Sequence, residues 1–340
     1  MIDHVFAFRL LVCLLIAGAL SACSEDVPVL TGATMGTTYS VIVPRLKSND
    51  QDRLKADIES ALDRVNSAMS TYQADSSITG FNTSVSTHWF DVPADFALVA
   101  DVANTIAQAT NGAFDPTVGP LVKRWGFASD EVDRIPDDDE IEALLQRVGY
   151  KNLHIDTGKP ALRKSISNLT VDLNAIAKGY AVDLLAASVG SFGYTDYLVE
   201  IGGELRASGS NAAGERWRIG IEQPEVLPSG ATSKGLYLSE GGVATSGDYR
   251  NAFESDGVRY SHIIDPRNGY PVRHSLASVT VVADSTMLAD GWATALMVLG
   301  PDDGLKLADQ LSLAGFFIVR DGDKGFTTRS SREFGRLLRN

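Results

Sequence analysis

The sequence predicts an α+β fold in which helices and a mostly antiparallel sheet are interleaved irregularly. Three observations carry that prediction. In the first half, apolar residues recur at helical spacing in several segments. After Val171 the pattern changes to short runs rich in β-branched residues, separated by glycine turns, as in antiparallel sheet. The two element types do not alternate in the regular βαβ order that a parallel sheet requires. Of the 340 residues, 44% are hydrophobic and 21% charged, enough apolar surface for a large core and too much for a disordered chain.

Thr37 to Val43 is rich in β-branched residues and reads as the first strand. A helix is expected over 50–70, where Leu54, Ile58, Ala61, Leu62, Val65 and Met69 share a face. A second is expected over 95–109, stopped by Asn111 and Gly112. A third follows Pro136, with the acids Asp137 to Glu140 in its first turn and Gly149 as its stop. Free N–H groups at a helix start favour acids, so that cluster is read as a cap in preference to a metal site. Beyond Val171, helices are expected over 175–188 and 285–299, with strands over 197–201, 217–221, 235–238 and 278–283. There is no internal repeat and no proline-rich or serine-rich linker. A boundary near 165–170 is only weakly marked, so 31–340 is taken as one domain.

The N-terminus reads differently. An apolar run from Leu10 to Leu20 follows Arg9 and precedes small residues, the layout of a secretory signal too short to span a bilayer. Leu20-Ser21-Ala22-Cys23 resembles the bacterial lipobox. It implies a signal peptide over 1–22, acylation of Cys23, a tether over 23–30, and a domain at the periplasmic face of a bacterial membrane, the inner membrane favoured. Cys13 and Cys23 are the only cysteines, so the globular part has no disulfide, no cysteine-held zinc and no thiol nucleophile. A net charge of −13 without lysine or arginine runs argues against nucleic acid. An anionic small ligand would need a metal or backbone donors.

The P-loop, zincin and α/β-hydrolase spacings are all absent. Of five histidines (His4, His88, His154, His262 and His274), only His262 has unusual company: a strand-like His262-Ile-Ile running into Asp265-Pro266 and a turn at Gly269. Asp290 and Thr294 are four apart on an expected helix and can aim two oxygens at one point, half a site for Mg²⁺. A helix cap at Asp290 explains the same spacing. Asp172 stands at an expected strand end before a helix start that carries Lys178, an arrangement suited to an anion or to plain capping. The glycines of Ile201-Gly-Gly-Glu204 and Thr245-Ser-Gly247 permit close approach of a bulky ligand, or simply make hairpin turns.

Taken in order, these segments resemble the ApbE-type FAD:protein FMN transferase family across nearly the whole mature region. The matching stretches are Met35-Gly36-Thr37-Thr38-Tyr39, Met69-Ser-Thr-Tyr72, Gly112-Ala-Phe-Asp-Pro-Thr-Val-Gly-Pro120, Asp172-Leu-Asn-Ala-Ile-Ala-Lys-Gly179, Gly202-Gly-Glu204, Thr245-Ser-Gly247, His262-Ile-Ile-Asp-Pro-Arg267 and Asp290-Gly-Trp-Ala-Thr294. Asn174-Ala175 departs from the two glycines of many members, a change that leaves the backbone carbonyl in place. The resemblance implies FAD in a central cleft and Mg²⁺-dependent transfer of FMN to a threonine or serine hydroxyl of a partner protein, with AMP released. The partner is expected to be a subunit of a membrane redox complex. It implies Mg²⁺ held by the Ala175 carbonyl, Asp290 and Thr294. FAD would contact Met35, Tyr72, Ala113, Phe114, Asp115, Asp172, Lys178 and Ile264. His262 would serve near the acceptor hydroxyl, with Asp265 close by. Two alternatives share the same pocket: an Mg²⁺-dependent FAD pyrophosphatase, and an exported lipoprotein that only binds flavin. Thr31-Gly-Ala-Thr34 looks like the setting of a flavinylated threonine, but Pro28 occupies the position where an acceptor carries aspartate, so it is read as the lead-in to Met35.

Overall fold

The structure is a computed structural model that describes residues 27–127, 135–224, 232–249, 252–255, 257–322 and 325–339. The signal segment, Cys23 and the first half of the tether lie outside the described residues. Strand β1 (Val29–Thr34) and β2 (Thr37–Ile42) form an N-terminal hairpin. Val29 and Leu30, expected in the tether, thus belong to the sheet, and β1 itself was not foreseen. Helices α1 (Ser48–Met69) and α2 (Ser77–Thr83) follow, then the short β3 (Phe90–Asp91), α3 (Ala94–Ala109), α4 (Gly119–Arg124) and α5 (Asp138–Leu145). Strands β4 (Leu153–Asp156) and β5 (Ala161–Lys164) join β3 in a small sheet, and α6 (Ala177–Ser191) leads into the second half.

That half runs β6 (Tyr197–Ile201), β7 (Glu204–Ser208), β8 (Trp217–Glu222), β9 (Thr232–Leu238), β10 (Glu240–Gly247), β11 (Ala252–Ser255), β12 (Val258–Ser261), β13 (Ile264–Asp265), β14 (Tyr270–Pro271) and β15 (Leu276–Ala283). Helix α7 (Thr286–Gln310), β16 (Ala314–Arg320), β17 (Phe326–Ser330) and α8 (Arg332–Leu337) complete it. The main sheet has eight strands in the order β1-β2-β6-β7-β10-β15-β16-β17, antiparallel at every pairing.

Side-chain alternation divides the sheet into two faces. Val199, Ile201, Ala244, Val279 and Val281 point into the main core, which they share with α1, α3, α6 and α7. Leu198, Ala207, Val243 and Val282 point the other way, onto the β8–β9 hairpin carrying Trp217, Ile219, Leu236 and Leu238. The main core runs from Leu30 to Val319 and includes residues on both sides of 165–170, so that stretch divides nothing. A smaller cluster of Leu121, Trp125, Ile141, Tyr260 and Ile264 binds α4 and α5 to the segment around β12 and β13.

Several local expectations are corrected. The acids after Pro136 do cap a helix, through a reciprocal box of Asp137 and Glu140, but α5 stops at Leu145. Residues 171–174 are loop rather than strand: the Asp172 N–H donates to the Pro116 carbonyl at 2.7 Å, outside any ladder. Thr245 to Gly247 lie inside β10, not in a turn, whereas Gly202 and Gly203 do turn the β6–β7 hairpin. Asp290 is not the cap of α7; Ser285 caps it, accepting from the Leu288 N–H at 3.2 Å. The expected end of that helix at 299 coincides with a kink at Gly300 before Pro301, after which helix resumes to Gln310. Among the described residues, no helix is long and apolar enough to cross a membrane.

Candidate active site

A cleft of about 1230 Å³ opens between the N-terminal turns, the loop before α6, the C-terminal ends of the β10 region and the α4–α5 unit. It exceeds the usual size for a drug-sized ligand and has room for a dinucleotide. Met35, Tyr72, Ala113, Phe114, Asp115, Asp172, Ala175, Lys178, His262, Ile264, Asp290 and Thr294 all line it. Of the expected site residues that are described, only Asp265 is not among its walls.

Asp290 sits in the second turn of α7 and is 4% exposed. Its Oδ2 accepts the Gly179 N–H at 2.9 Å, one of the amides that a helix start leaves without an intrahelical partner. The packing of α6 on α7 there depends on Gly179. A Cβ at that position would stand 2.7 Å from the Thr286 carbonyl carbon and 2.8 Å from the Asp290 Cβ. Burial pushes the Asp290 carboxyl up to about 7; the Lys178 ammonium opposes that rise and the Glu204 carboxylate adds to it. Thr294, one turn on, shares a hydrogen bond with Ser246 of β10 at 3.0 Å.

The Gly179 amide's choice of Asp290 has a second effect. Its partner in a continued helix would be the carbonyl four residues back, that of Ala175. Among the described residues the Ala175 carbonyl accepts no hydrogen bond, and neither does Asp290 Oδ1. Ala175, Asp290 and Thr294 all line one cleft, and a carbonyl, a carboxylate and a hydroxyl make an all-oxygen donor set that suits a hard cation such as Mg²⁺. No group of three or more His, Cys, Asp or Glu side chains able to hold a metal occurs among the described residues, so only such a mixed set is on offer.

The other expected residues divide by what their polar atoms already do. Asp115 is 7% exposed and fully engaged: Oδ1 accepts from the Thr117 N–H at 2.8 Å and its hydroxyl at 2.6 Å, and Oδ2 from the Tyr150 N–H at 2.8 Å. Burial still raises its proton affinity, outweighing those bonds. Asp115 thus shapes the wall on which Ala113 and Phe114 sit. Asp172 Oδ1 accepts from the Asn174 N–H at 2.9 Å, and burial raises its pKa too. Tyr72 is 77% exposed at the cleft mouth. Met35 lies in the β1–β2 turn with φ +50, a left-handed conformation uncommon for non-glycine residues.

His262 lies in a bend between β12 and β13, not in a strand, with its ring edge-on to Phe127. Asp265 is engaged in a two-pronged pair with Arg267, at 2.8 Å to Nε and 2.7 Å to Nη2. That pair stabilises the turn whose Gly269 has φ +83, and a Cβ there would come 2.5 Å from Ile141. Trp125 Nε1 donates to the Gly269 carbonyl at 2.9 Å and locks the same turn to α4.

Sequence reasoning gave no role to three features of the cleft. Glu204 reads in the sequence as the end of a glycine turn; in the fold it is 4% exposed and pairs with Lys178 at 2.7 Å. Ser246 was part of a presumed turn and instead touches Thr294. Lys123, Arg124 and Arg147 give one wall positive charge in an acidic chain, although no basic run announces them.

The sequence model of the ApbE family matches residues 35–317. The chain belongs to that family. Among relatives, the FAD:protein FMN transferase of Haemophilus influenzae is 40% identical over 328 residues, covering 94% of each chain. The enzyme of the same name from Escherichia coli K12 is 37% identical, covering 93% of this chain and 90% of its own. The solved flavin transferase ApbE of Vibrio cholerae superposes with a TM-score of 0.83 at 40% identity, covering 91% of this chain and 98% of its own. The ApbE fold is therefore the α+β architecture described above, and its conserved architecture extends to the Thermotoga maritima ApbE protein at 31% identity and a TM-score of 0.82.

Proposed function

We propose that this chain is an FAD:protein FMN transferase that moves FMN from FAD onto a threonine or serine hydroxyl of a partner protein and releases AMP. The observation that carries this reading is the gathering of Ala175, Asp290, Thr294, Lys178 and His262 around one cleft of dinucleotide size. The relatives named FAD:protein FMN transferase, matched over more than nine-tenths of this chain, support it.

In the reaction, the acceptor oxygen bonds to the phosphorus on the FMN side, the P–O bond to the bridging oxygen breaks, and AMP departs with that oxygen. The Ala175 carbonyl, Asp290 and Thr294 would hold Mg²⁺, which when bound neutralises charge on the pyrophosphate oxygens. Lys178, Lys123 and Arg147 would orient the anionic bridge. His262 would take the hydroxyl proton, since an imidazole's ordinary pKa suits that task near neutrality. Tyr72, exposed at the mouth, offers an aromatic face for the isoalloxazine ring. Acylation at Cys23 would keep the domain at the periplasmic membrane surface, near acceptor subunits of a membrane redox complex; a Cys23→Ser chain should then appear in the soluble fraction.

The test is incubation of the purified chain with FAD, Mg²⁺ and a threonine-bearing acceptor domain. Mass spectrometry should find FMN on the acceptor and AMP in solution. Free FMN with an unmodified acceptor would make the protein a pyrophosphatase, and bound FAD without AMP a flavin carrier.

A further inference from the structure

The buried charges beside the proposed cation seat do not balance in the simplest way. Asp290 and Glu204 are each 4% exposed, and Lys178, on the helix start between them, is the cation that both sense. The ion pair that forms is with Glu204, at 2.7 Å. Among the described residues Glu204 Oε2 is buried without a hydrogen-bond partner, so the carboxylate is secured through Oε1 and the lysine. Glu204 owes its place to the two left-handed glycines just before it, Gly202 with φ +59 and Gly203 with φ +105, which return β7 beside β6 and bring the side chain under the cleft floor.

An ammonium within reach of a buried carboxylate pairs with it unless a better partner is closer. Were Lys178 to pair with Asp290, it would occupy Oδ1, the oxygen left open by the Gly179 contact. We propose that Glu204 is a positioning residue for metal binding: it draws the Lys178 ammonium to itself and so keeps Asp290 open to the cation. The inference rests on the Mg²⁺ reading of the site. It also accounts for an otherwise costly buried carboxylate with one oxygen unsatisfied.

The experiment is calorimetric titration of the purified chain with Mg²⁺ alone, for wild type, Glu204→Gln, Lys178→Met and the double variant, with thermal melts to establish that each is folded. Glu204→Gln should weaken Mg²⁺ binding at least tenfold, because the released lysine competes for Asp290. Removing the competitor in the double variant should restore binding to within about threefold of wild type. Lys178→Met alone, titrated at pH 9 where Asp290 is ionised with or without the ammonium, should bind Mg²⁺ at least as tightly as wild type, and this arm stands even where Glu204→Gln fails to fold. Wild-type affinity in Glu204→Gln overturns the proposal. So does a double variant as weak as the single, or weakened binding in Lys178→Met. A wild-type chain that takes up no Mg²⁺ sinks the cation reading itself, which a defect confined to the variants would not.

Discussion

Asp290 should make Mg²⁺ binding steeply dependent on pH. A cation needs the carboxylate, and burial has pushed that carboxyl up to about 7. About nine-tenths of the metal-free chain is then ionised at pH 8 and about one-tenth at pH 6, so the apparent affinity should fall about tenfold across that interval. Stability without metal follows from the same shift, with its sign fixed by proton counting. The unfolded carboxyl gives up its proton near 3.8, as an ordinary aspartate does, and the folded one holds it to about 7. Between those values the folded chain binds more protons, so its stability falls as pH rises, by about 4 kcal/mol at most. Asp290→Asn keeps an acceptor for the Gly179 amide and removes the charge. In chelator at pH 8 this variant should melt above wild type, and at pH 4 the two should converge. The assay pairs Mg²⁺ calorimetry at pH 6, 7 and 8 with thermal melts of both chains in chelator. A constant Mg²⁺ affinity from pH 6 to 8, or an Asp290→Asn chain that melts with wild type at pH 8, would refute the reasoning.

Three further outcomes are expected. His262→Ala should lower FMN transfer about 10²–10⁴-fold, the usual contribution of a general base, while FAD binding measured by fluorescence stays near wild type; unchanged turnover would remove the base from the mechanism. Gly179→Ala should cost about 1–3 kcal/mol or more in urea unfolding, since its methyl meets the Thr286 backbone rather than a side chain that can move aside, and it should weaken Mg²⁺ binding as Asp290 shifts. A midpoint equal to wild type would show that α6 and α7 separate freely. Lys164 is 1% exposed, donates to the Phe81 and Leu169 carbonyls at 3.1 and 3.0 Å, and lies over the Phe81 ring. Lys164→Met should cost about 1–3 kcal/mol by stranding both carbonyls, with no change in Mg²⁺ affinity because the site is elsewhere; a neutral substitution would mean that water replaces the amine.

The legibility of this chain varied with the range of the forces involved. The helices α1 and α3 were readable because Leu54, Ile58, Leu62 and Val65, or Phe96, Val99 and Ala103, mark one face within a single segment. The α5 cap was readable because Asp137 and Glu140 satisfy each other locally. Strand β1 was missed because Gly32 and Pro28 lend its neighbourhood a loop's composition; its pairing with β2 is what orders it. Thr245 to Gly247 looks like a turn because glycine is permissive, yet pairing with β15 makes it sheet. Glu204 went without a role because its partner, Lys178, is distant in the chain.

The amino-acid order alone determined the fold class, the helices with strong apolar periodicity, the absence of thiol chemistry in the domain, and, through the sequence of motifs, membership of the ApbE family. Those depend on contacts within a few residues or on the identity of the residues themselves. Tertiary structure decided which oxygen of Asp290 is occupied, that the Ala175 carbonyl accepts no hydrogen bond, that Asp265 serves a turn through Arg267, and that Lys178 faces Glu204. Each of these depends on which buried group lies nearest in space. In a medium of low polarity that distance sets which charges pair and which atoms remain open for a ligand.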